Sequence, residues 1–462
     1  MVQQEKIYGY LPDESPSFWK LLLFAFQQII VMFPATVVVA IITGFHVSTT
    51  IFASGLATIC FILITKKQIP LYYGSSFSYI AAILSITSAG IVNGVASDNL
   101  ISQAQFGIIL SGLVSIGAGL IVKRFSFKAI EKILPPTITG SIAIIIGLSL
   151  AGSAMSGPTD VVNYAGVTLE NIQLASNLGW TIALVTLIST IMFSVYIKKG
   201  TWGQIPILLG LLVGYLTALV FGLISGIKFL DFGLMKDASL FTIPHFTFPK
   251  MSWPAVLAIM PIAIATIPES TAHLCQLDIY VNKLAKDKGT KKDYNISDKL
   301  GLNLIGDGLG DIISGAIGGP AGTNYGENIS TMSITRTFST KVLMTAAIIT
   351  MVISFLTPLS AAVYSIPKPV IGGISIYLFG VIAAQGIAIM IDKKVDMFDS
   401  KNLAVISIIL IVGIGGSFQF ENGMIPFFGM KAPAIATAAI LGIILNSIFV
   451  LSSRKLKPNK VE

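Results

Sequence analysis

Charge is scarce in this chain. Of 462 residues only 30 are Lys or Arg and 22 are Asp or Glu, 11% together, against about 25% in a soluble globular domain. So few charges cannot cover the water-facing surface of a chain this long, which excludes a soluble enzyme, a nucleic-acid-binding domain and a disordered protein. Cysteine is scarcer still. Cys60 and Cys275 both lie in apolar stretches and define neither a disulfide framework nor a metal cluster. The three histidines, His46, His245 and His273, form no His-Glu-x-x-His pattern. No Gly-x-Ser-x-Gly elbow holds a nucleophile. The run Gly306 to Asp311 is glycine-rich but lacks the Gly-Lys-Ser/Thr of a phosphate loop. No cofactor, no metal and no enzymatic activity are therefore expected. Residues 1–16 lack a basic stretch leading into a short apolar core, so no cleavable signal peptide is expected there.

Apolar residues make up 54% of the chain and recur in runs of spanning length, about 20 residues each. They fall near 19–42, 48–65, 70–90, 103–122, 137–154, 178–197, 203–227, 252–276, 299–317, 325–337, 339–359, 367–390, 402–417 and 431–452. This predicts an all-α polytopic membrane protein with fourteen transmembrane segments. Two segments are interrupted: 70–90 opens on Pro70 and Gly74, and 325–337 holds Gly326, Glu327, Asn328 and Arg336. Such breaks at membrane depth occur only where protein or a polar cavity satisfies the freed backbone. The net charge of +8 reads as topology. With the N-terminus inside, only Lys228, Lys236, Lys250, Lys368 and Lys431 fall outside, and the basic loop from Lys283 to Lys299 falls inside. Both termini are thus expected in the cytoplasm, the chain sitting in the cell membrane in contact with lipid.

The interrupted segments resemble each other, Tyr73-Gly74 aligning with Tyr325-Gly326. Pro136, Gly140 and Gly147 share the spacing of Pro369, Gly373 and Gly380, and Phe33-Pro34-Ala35 resembles Ile267-Pro268-Glu269. The three matches map spans 1, 3 and 5 onto 8, 10 and 12. Seven spans per half is odd, so the second repeat enters the membrane from the opposite side, and interrupted segments at corresponding places point to a midplane binding site.

Four acids lie within spans: Glu269, Asp307, Asp311 and Glu327. An ionised carboxylate there costs roughly 2.5–3.5 kcal/mol even on the lenient insertion scale, and is a functional candidate by default. The alternative is a protonated or hydrogen-bonded carboxyl tying helices together, a reading that applies most to Asp307 and Asp311, placed near a helix end. Glu269 and His273 are four apart and share a helix face, compatible with a proton relay, a ligand clamp or two metal ligands. Two carboxylates accept hydrogen bonds from a flat ligand bearing N–H groups, and broken-helix N–H groups donate to its carbonyls. Phe77 either covers that ligand's face or simply packs between helices.

The run Asn324-Tyr325-Gly326-Glu327-Asn328 through Thr335-Arg336 resembles the signature of the nucleobase–ascorbate transporter family, in a version similar to bacterial uracil carriers. So do Gly74-Ser75-Ser76-Phe77, Pro261 leading to Glu269 and His273, Asp307-Gly308-Leu309-Gly310, and Ile366 to Gly373. The resemblance implies a proton-coupled uracil importer with alternating access. It also implies a core of spans 1–4 and 8–11 (residues 19–134 and 252–359) and a gate of spans 5–7 and 12–14 (135–228 and 365–452), between tails 1–18 and 453–462. Strand-like pieces would interrupt spans 3 and 10. By resemblance, Glu269, Glu327, Phe77, Ala35, Gly326 and Tyr325 bind substrate, and Glu269, His273, Glu327 and Asp307 serve proton coupling. The partners implied are a nucleobase, the proton as coupling ion, lipid and a second copy in a homodimer, with no nucleic acid. Departures are Gln27-Gln28 where Gln-His is usual, Ser330 for Gly, Phe379 for Tyr, and Asp311 for an uncharged residue. The alternatives are a xanthine or purine symporter of the same family, and a passive channel or anion exchanger of related fold.

Overall fold

The computed structural model describes residues 9–455 apart from 93, 125–133, 198–204, 232, 234–238, 291 and 428–429. Several cations used in the topology reading (Lys6, Lys128, Lys132, Lys198, Lys199, Lys236, Lys291) and residues 456–462 lie outside the described set. The first half comprises α1 (Phe18–Thr43), α2 (Val47–Ile64), β1 (Tyr73–Ser75), a 3-10 turn (Phe77–Tyr79) running into α3 (Ile80–Thr87), β2 (Ile91–Val92), β3 (Val95–Ala96) and α4 (Asp98–Arg124). Then follow α5 (Pro136–Ser149), α6 (Ala151–Ser156), α7 (Ile172–Tyr196) and α8 (Pro206–Ser225). The second half comprises α9 (Trp253–Ile259), α10 (Ile262–Asp287), α11 (Leu300–Ile317), β4 (Gly322–Asn324), α12 (Gly326–Thr335) and α13 (Thr340–Ile353). It ends with α14 (Thr357–Tyr364), α15 (Lys368–Asp392), α16 (Ser400–Leu410), α17 (Gly416–Gln419), a β5–β6 hairpin (Met424–Phe427, Met430–Pro433) and α18 (Ala434–Lys455).

Among the described residues, eleven helices are long and apolar enough to cross a membrane. The other three predicted segments fold as shorter pieces: α3 with its flanking turns, α12 and α13. One boundary differs from expectation. The eighth segment continues as helix to Asp287, so Lys283 and Lys286 ride on α10 and not in a loop. Its last three turns mix buried Leu277, Val281 and Leu284 with Asp278, Lys283, Lys286 and Asp287, which ends the run of apolar residues without ending the helix.

The halves pack as an exchange of equivalent elements requires. α2 crosses α13 while α4 crosses α11, and α5 lies against α15. Glycines let these backbones touch. A Cβ on Gly112 would lie 2.4 Å from Gly308 O and one on Gly308 would lie 2.3 Å from Gly112 O, with Gly119 and Gly301 reciprocal in the same way at 2.7 Å. The order 112–308 then 119–301 makes α4 and α11 antiparallel. α1 and α10 each carry an internal proline, Pro34 and Pro268, as the sequence match between them predicted. Buried side chains concentrate in α1, α2, α10, α11 and α13, whereas α7 and α8 present Leu184, Ile188, Leu212, Leu216 and Leu223 outward.

The match between the two interrupted segments needs a shift. Tyr73-Gly74 aligns with Tyr325-Gly326 by letter, but in space β1 pairs antiparallel with β4, Gly74 opposite Thr323. Each strand is followed, after one residue, by a helical start: Phe77 in the first half and Gly326 in the second. Phe77 and Gly326 are therefore the structural equivalents, three residues from the alignment by letter.

Candidate functional site

The β1–β4 ribbon is where the two halves meet. Pro70 and Pro320 lack the N–H a helix needs, so both segments arrive extended. Tyr73 pairs with Asn324, Gly74 with Thr323 and Ser75 with Gly322, and the ladder is prolonged by Tyr325 N to Tyr72 O at 2.9 Å and Ser76 N to Ala321 O at 3.0 Å. α2 braces it: Ser54 Oγ donates to Tyr73 O at 2.7 Å, and Thr58 Oγ1 accepts from Tyr73 N at 3.0 Å. Backbone that would be unsatisfied at membrane depth is thus paired. Gly74 has no room for a side chain, because a Cβ there would lie 2.3 Å from the Tyr325 ring.

From the ribbon the Phe77–Tyr79 turn and α12 start in opposite halves. The N-cap of α12, Tyr325, supplies no side-chain cap, so the positive end of the helix dipole is not covered by that side chain. Glu327 sits in that first turn, within electrostatic reach of Glu269 on α10. The Ser78 hydroxyl donates to Glu269 Oε2 at 3.1 Å. One turn further along α10, His273 sets Nε2 against Gly326, where an added Cβ would lie 2.9 Å away. Its Nδ1 is buried without a hydrogen-bond partner among the described residues. Glu269, His273, Gly326 and Glu327 are all half-buried, so they line an accessible recess inside the bundle.

The remaining predicted residues lie around or beneath it. Phe77 is 9% exposed and meets Phe379 of α15 edge-on, with ring centroids 5.7 Å apart. Ala35 is buried on α1. Tyr325 is also buried. Its ring covers Gly74, and its hydroxyl lies 2.9 Å from Thr36 Oγ1 and donates to Ser75 O at 3.0 Å.

Asp307 and Asp311 depart from expectation, lying mid-helix in α11 and not near its end. Both are buried and hydrogen-bonded. Asp307 accepts from Ser270, from Asn324 Nδ2 at 2.5 Å and from Asn303 Nδ2 at 3.4 Å. Asp311 Oδ1 accepts from the Tyr73 hydroxyl at 2.5 Å and from Gly322 N at 2.8 Å, fastening both strands of the ribbon to α11. Among the described residues neither forms an ion pair. Sequence reading missed Ser78, Thr36, Ser270, Asn303 and Asn324, and also Gln28, whose Oε1 accepts from Asn328 Nδ2 at 2.8 Å. Three carried a signal: Ser78 as a hydroxyl in the serine-rich run after Gly74, Asn324 as the head of the family-like run, and Gln28 as a departure from it.

Comparison with known proteins agrees with this architecture. A sequence profile described as the permease family matches residues 19–422. The uracil permease of Bacillus caldolyticus is 36% identical over 446 residues, covering 94% of this chain and 93% of its own. The uracil permease of Bacillus subtilis (strain 168) is 34% identical, covering 92% and 91%. That of Escherichia coli (strain K12) is 33% identical, covering 97% and 95%. Among solved structures, SLC26A9 superposes with a TM-score of 0.61 at 12% identity, over 94% of this chain, which spans 65% of that longer one. The transmembrane domain of the cyanobacterial bicarbonate transporter BicA superposes with a TM-score of 0.52 at 15% identity, over 94% of this chain and 98% of that domain. At such identities these two establish the fold alone. The sequence relatives establish more: this chain is a permease and not an enzyme, and it belongs to the nucleobase–ascorbate transporter family.

Proposed function

We propose that this permease carries uracil, or a closely related pyrimidine base, inward across the cell membrane together with a proton. The observation that carries the reading is the pairing of two half-buried carboxyls, Glu269 and Glu327, with the uncapped start of α12. Uracil presents two ring N–H donors and two carbonyl acceptors in one plane. The carboxylates accept from the N–H groups, and backbone N–H groups at the start of α12 donate to a carbonyl. Phe77 flanks the recess and offers an aromatic face. The relatives that bear the name uracil permease support the choice of base.

Coupling follows from cost. A carboxyl at Glu269 or Glu327 left ionised and unpaired is expensive to carry through a low-dielectric seam. The carrier therefore reorients with that group protonated or with its charge engaged by substrate, which links proton and base. His273, on the same face as Glu269, and Asp307, hydrogen-bonded beneath it to Ser270 and Asn324, complete the coupling set. In this reading all fourteen segments cross the membrane, with both termini in the cytoplasm. The core (19–134, 252–359) moves against the gate (135–228, 365–452), and the Phe77–Phe379 contact marks the seam between them. A xanthine or purine substrate is the competing reading. Uptake of labelled uracil into cells expressing the chain, with and without excess unlabelled xanthine, separates them: uracil uptake insensitive to xanthine supports the proposal, and its abolition by xanthine overturns the assignment to uracil.

A further inference from the structure

At the end of α1 remote from the N-terminal segment, three side chains from distant parts of the sequence converge. His46 follows the left-handed Gly44 cap in the turn between α1 and α2, Asp98 opens α4, and His245 lies in the extended stretch before α9. His245 Nε2 is 2.9 Å from Asp98 Oδ2, and His46 Nε2 is 3.6 Å from Asp98 Oδ1. The two imidazole rings lie 4.4 Å apart between centroids, and one ligand atom from each of the three residues lies within 4.8 Å of the others.

A surface hydrogen bond between His245 and Asp98 accounts for part of this arrangement, but not for His46. The His46 Nε2 atom is buried and faces the Asp98 carboxylate at 3.6 Å, beyond hydrogen-bond distance, with no closer partner among the described residues. A buried polar atom without a partner calls for a cause. Zn–N and Zn–O bonds of about 2.0–2.2 Å set neighbouring ligand atoms of a tetrahedral ion roughly 3.3 Å apart. The three ligand atoms lie within 4.8 Å of one another, so side-chain rotations that draw both imidazoles toward one Asp98 oxygen would seat an ion.

The backbone around the cluster is already fastened. Thr49 Oγ1 donates to His245 O at 2.7 Å, Ala96 N to Gly44 O at 2.8 Å, and Lys250 N to Ser102 O at 2.8 Å. Gln105 bonds Thr247 at both ends, its Nε2 to Thr247 O at 2.8 Å and its Oε1 from Thr247 Oγ1 at 2.7 Å. Each ligand thus stands on an element held to the other two.

We propose that His46, Asp98 and His245 form a three-ligand site for a borderline transition-metal ion of the Zn2+ class, with water in the fourth position. Two imidazoles and one carboxylate favour Zn2+, Co2+ or Ni2+ over the harder Mg2+ and Ca2+. Bound there, the ion clasps the α1–α2 turn, the start of α4 and the segment before α9. The site is independent of which base is carried.

The test is calorimetric titration of Zn2+ into the full chain, purified in detergent without a histidine tag and stripped with chelator. The site predicts saturable binding of one ion per chain, undisturbed by millimolar Mg2+. It also predicts binding at least about tenfold weaker in both His245→Ala and His46→Gln. The His245 side chain is half exposed and its ring and hydrogen-bond contacts are to the other two ligands alone among those described, so its variant is expected to keep the fold, which a monodisperse elution profile checks. No saturable binding, or the same affinity in both variants as in the parent, overturns the proposal.

Discussion

The Ser78 hydroxyl donates to Glu269 at 3.1 Å, joining the broken segment of one half to the proline-interrupted helix of the other. It holds Glu269 toward the recess and also competes with any ligand N–H for that carboxylate. A hydrogen bond to a charged group contributes roughly 1.5–3 kcal/mol. Ser78→Ala is expected to raise the KM for uracil about tenfold or more, and Ser78→Thr to preserve it. An unchanged KM in Ser78→Ala would detach Glu269 from the site.

The tight approach of Gly74 to the Tyr325 ring gives a steric prediction. Gly74→Ala forces a methyl to 2.3 Å from that ring, whereas Gly117→Ala on α4 meets nothing within 4 Å. The first variant is expected to lose uptake and thermal stability. The second gains up to about 1 kcal/mol of helix propensity and keeps uptake. Melting curves in detergent check both.

Asp311 separates a structural acid from a functional one. Its Oδ1 serves Tyr73 and Gly322 together, and an amide oxygen can do the same. Asp311→Asn is therefore expected to retain uptake. Asp311→Leu leaves a buried hydroxyl and a buried N–H unpaired, each costing about 1–3 kcal/mol, and is expected to destabilise the ribbon. Equal damage from both variants, read by uptake and melting, would show that the charge itself matters.

The segment before α1 straps the end of α10. Lys288 Nζ reaches Gly9 O and both oxygens of Glu14, Lys292 pairs with Asp13 at 2.6 Å, and the Tyr294 hydroxyl donates to Asp13 at 2.6 Å. Partial burial pushes the Asp13 carboxyl up, but the bonds from Lys292 and Tyr294 outweigh it and hold the group below its usual 3.8. A depressed folded-state pKa adds stability above the unfolded value and loses it as pH falls through the folded one. Asp13→Asn should therefore lower stability slightly at pH 7, within the roughly 1 kcal/mol of exposed pairs, and progressively less as the pH falls below the ordinary carboxylate range. A difference from the parent that persists in acid would contradict this assignment.

Much of the fold was legible because hydrophobic length is a local property. Every predicted span contains a helix, and the two interruptions are the two central strands. Pro34 and Pro268 marked equivalent helices correctly. The alignment at Tyr73 and Tyr325 failed by three residues because it matched letters, while equivalence is set by where each helix restarts. The web beneath the site was hidden for a different reason. Asp307 is held by Ser270, Asn303 and Asn324, partners brought together only once β4 folds back over α11. From sequence alone Asp307 and Glu327 look alike, as buried acids without a base. In space one is enclosed by donors and the other lines a recess. His46 and His245, 199 positions apart, form no motif in the sequence for the same reason.

The central claim is that Glu327 binds the base and takes part in coupling. Uptake of radiolabelled uracil at two external pH values, in the parent, Glu327→Gln and Asp311→Asn, tests it most directly. The account predicts faster uptake at the lower pH in the parent and in Asp311→Asn, and a loss of uptake in Glu327→Gln of at least about tenfold, the effect of forfeiting one charge-assisted hydrogen bond. Full, pH-dependent uptake in Glu327→Gln would contradict it.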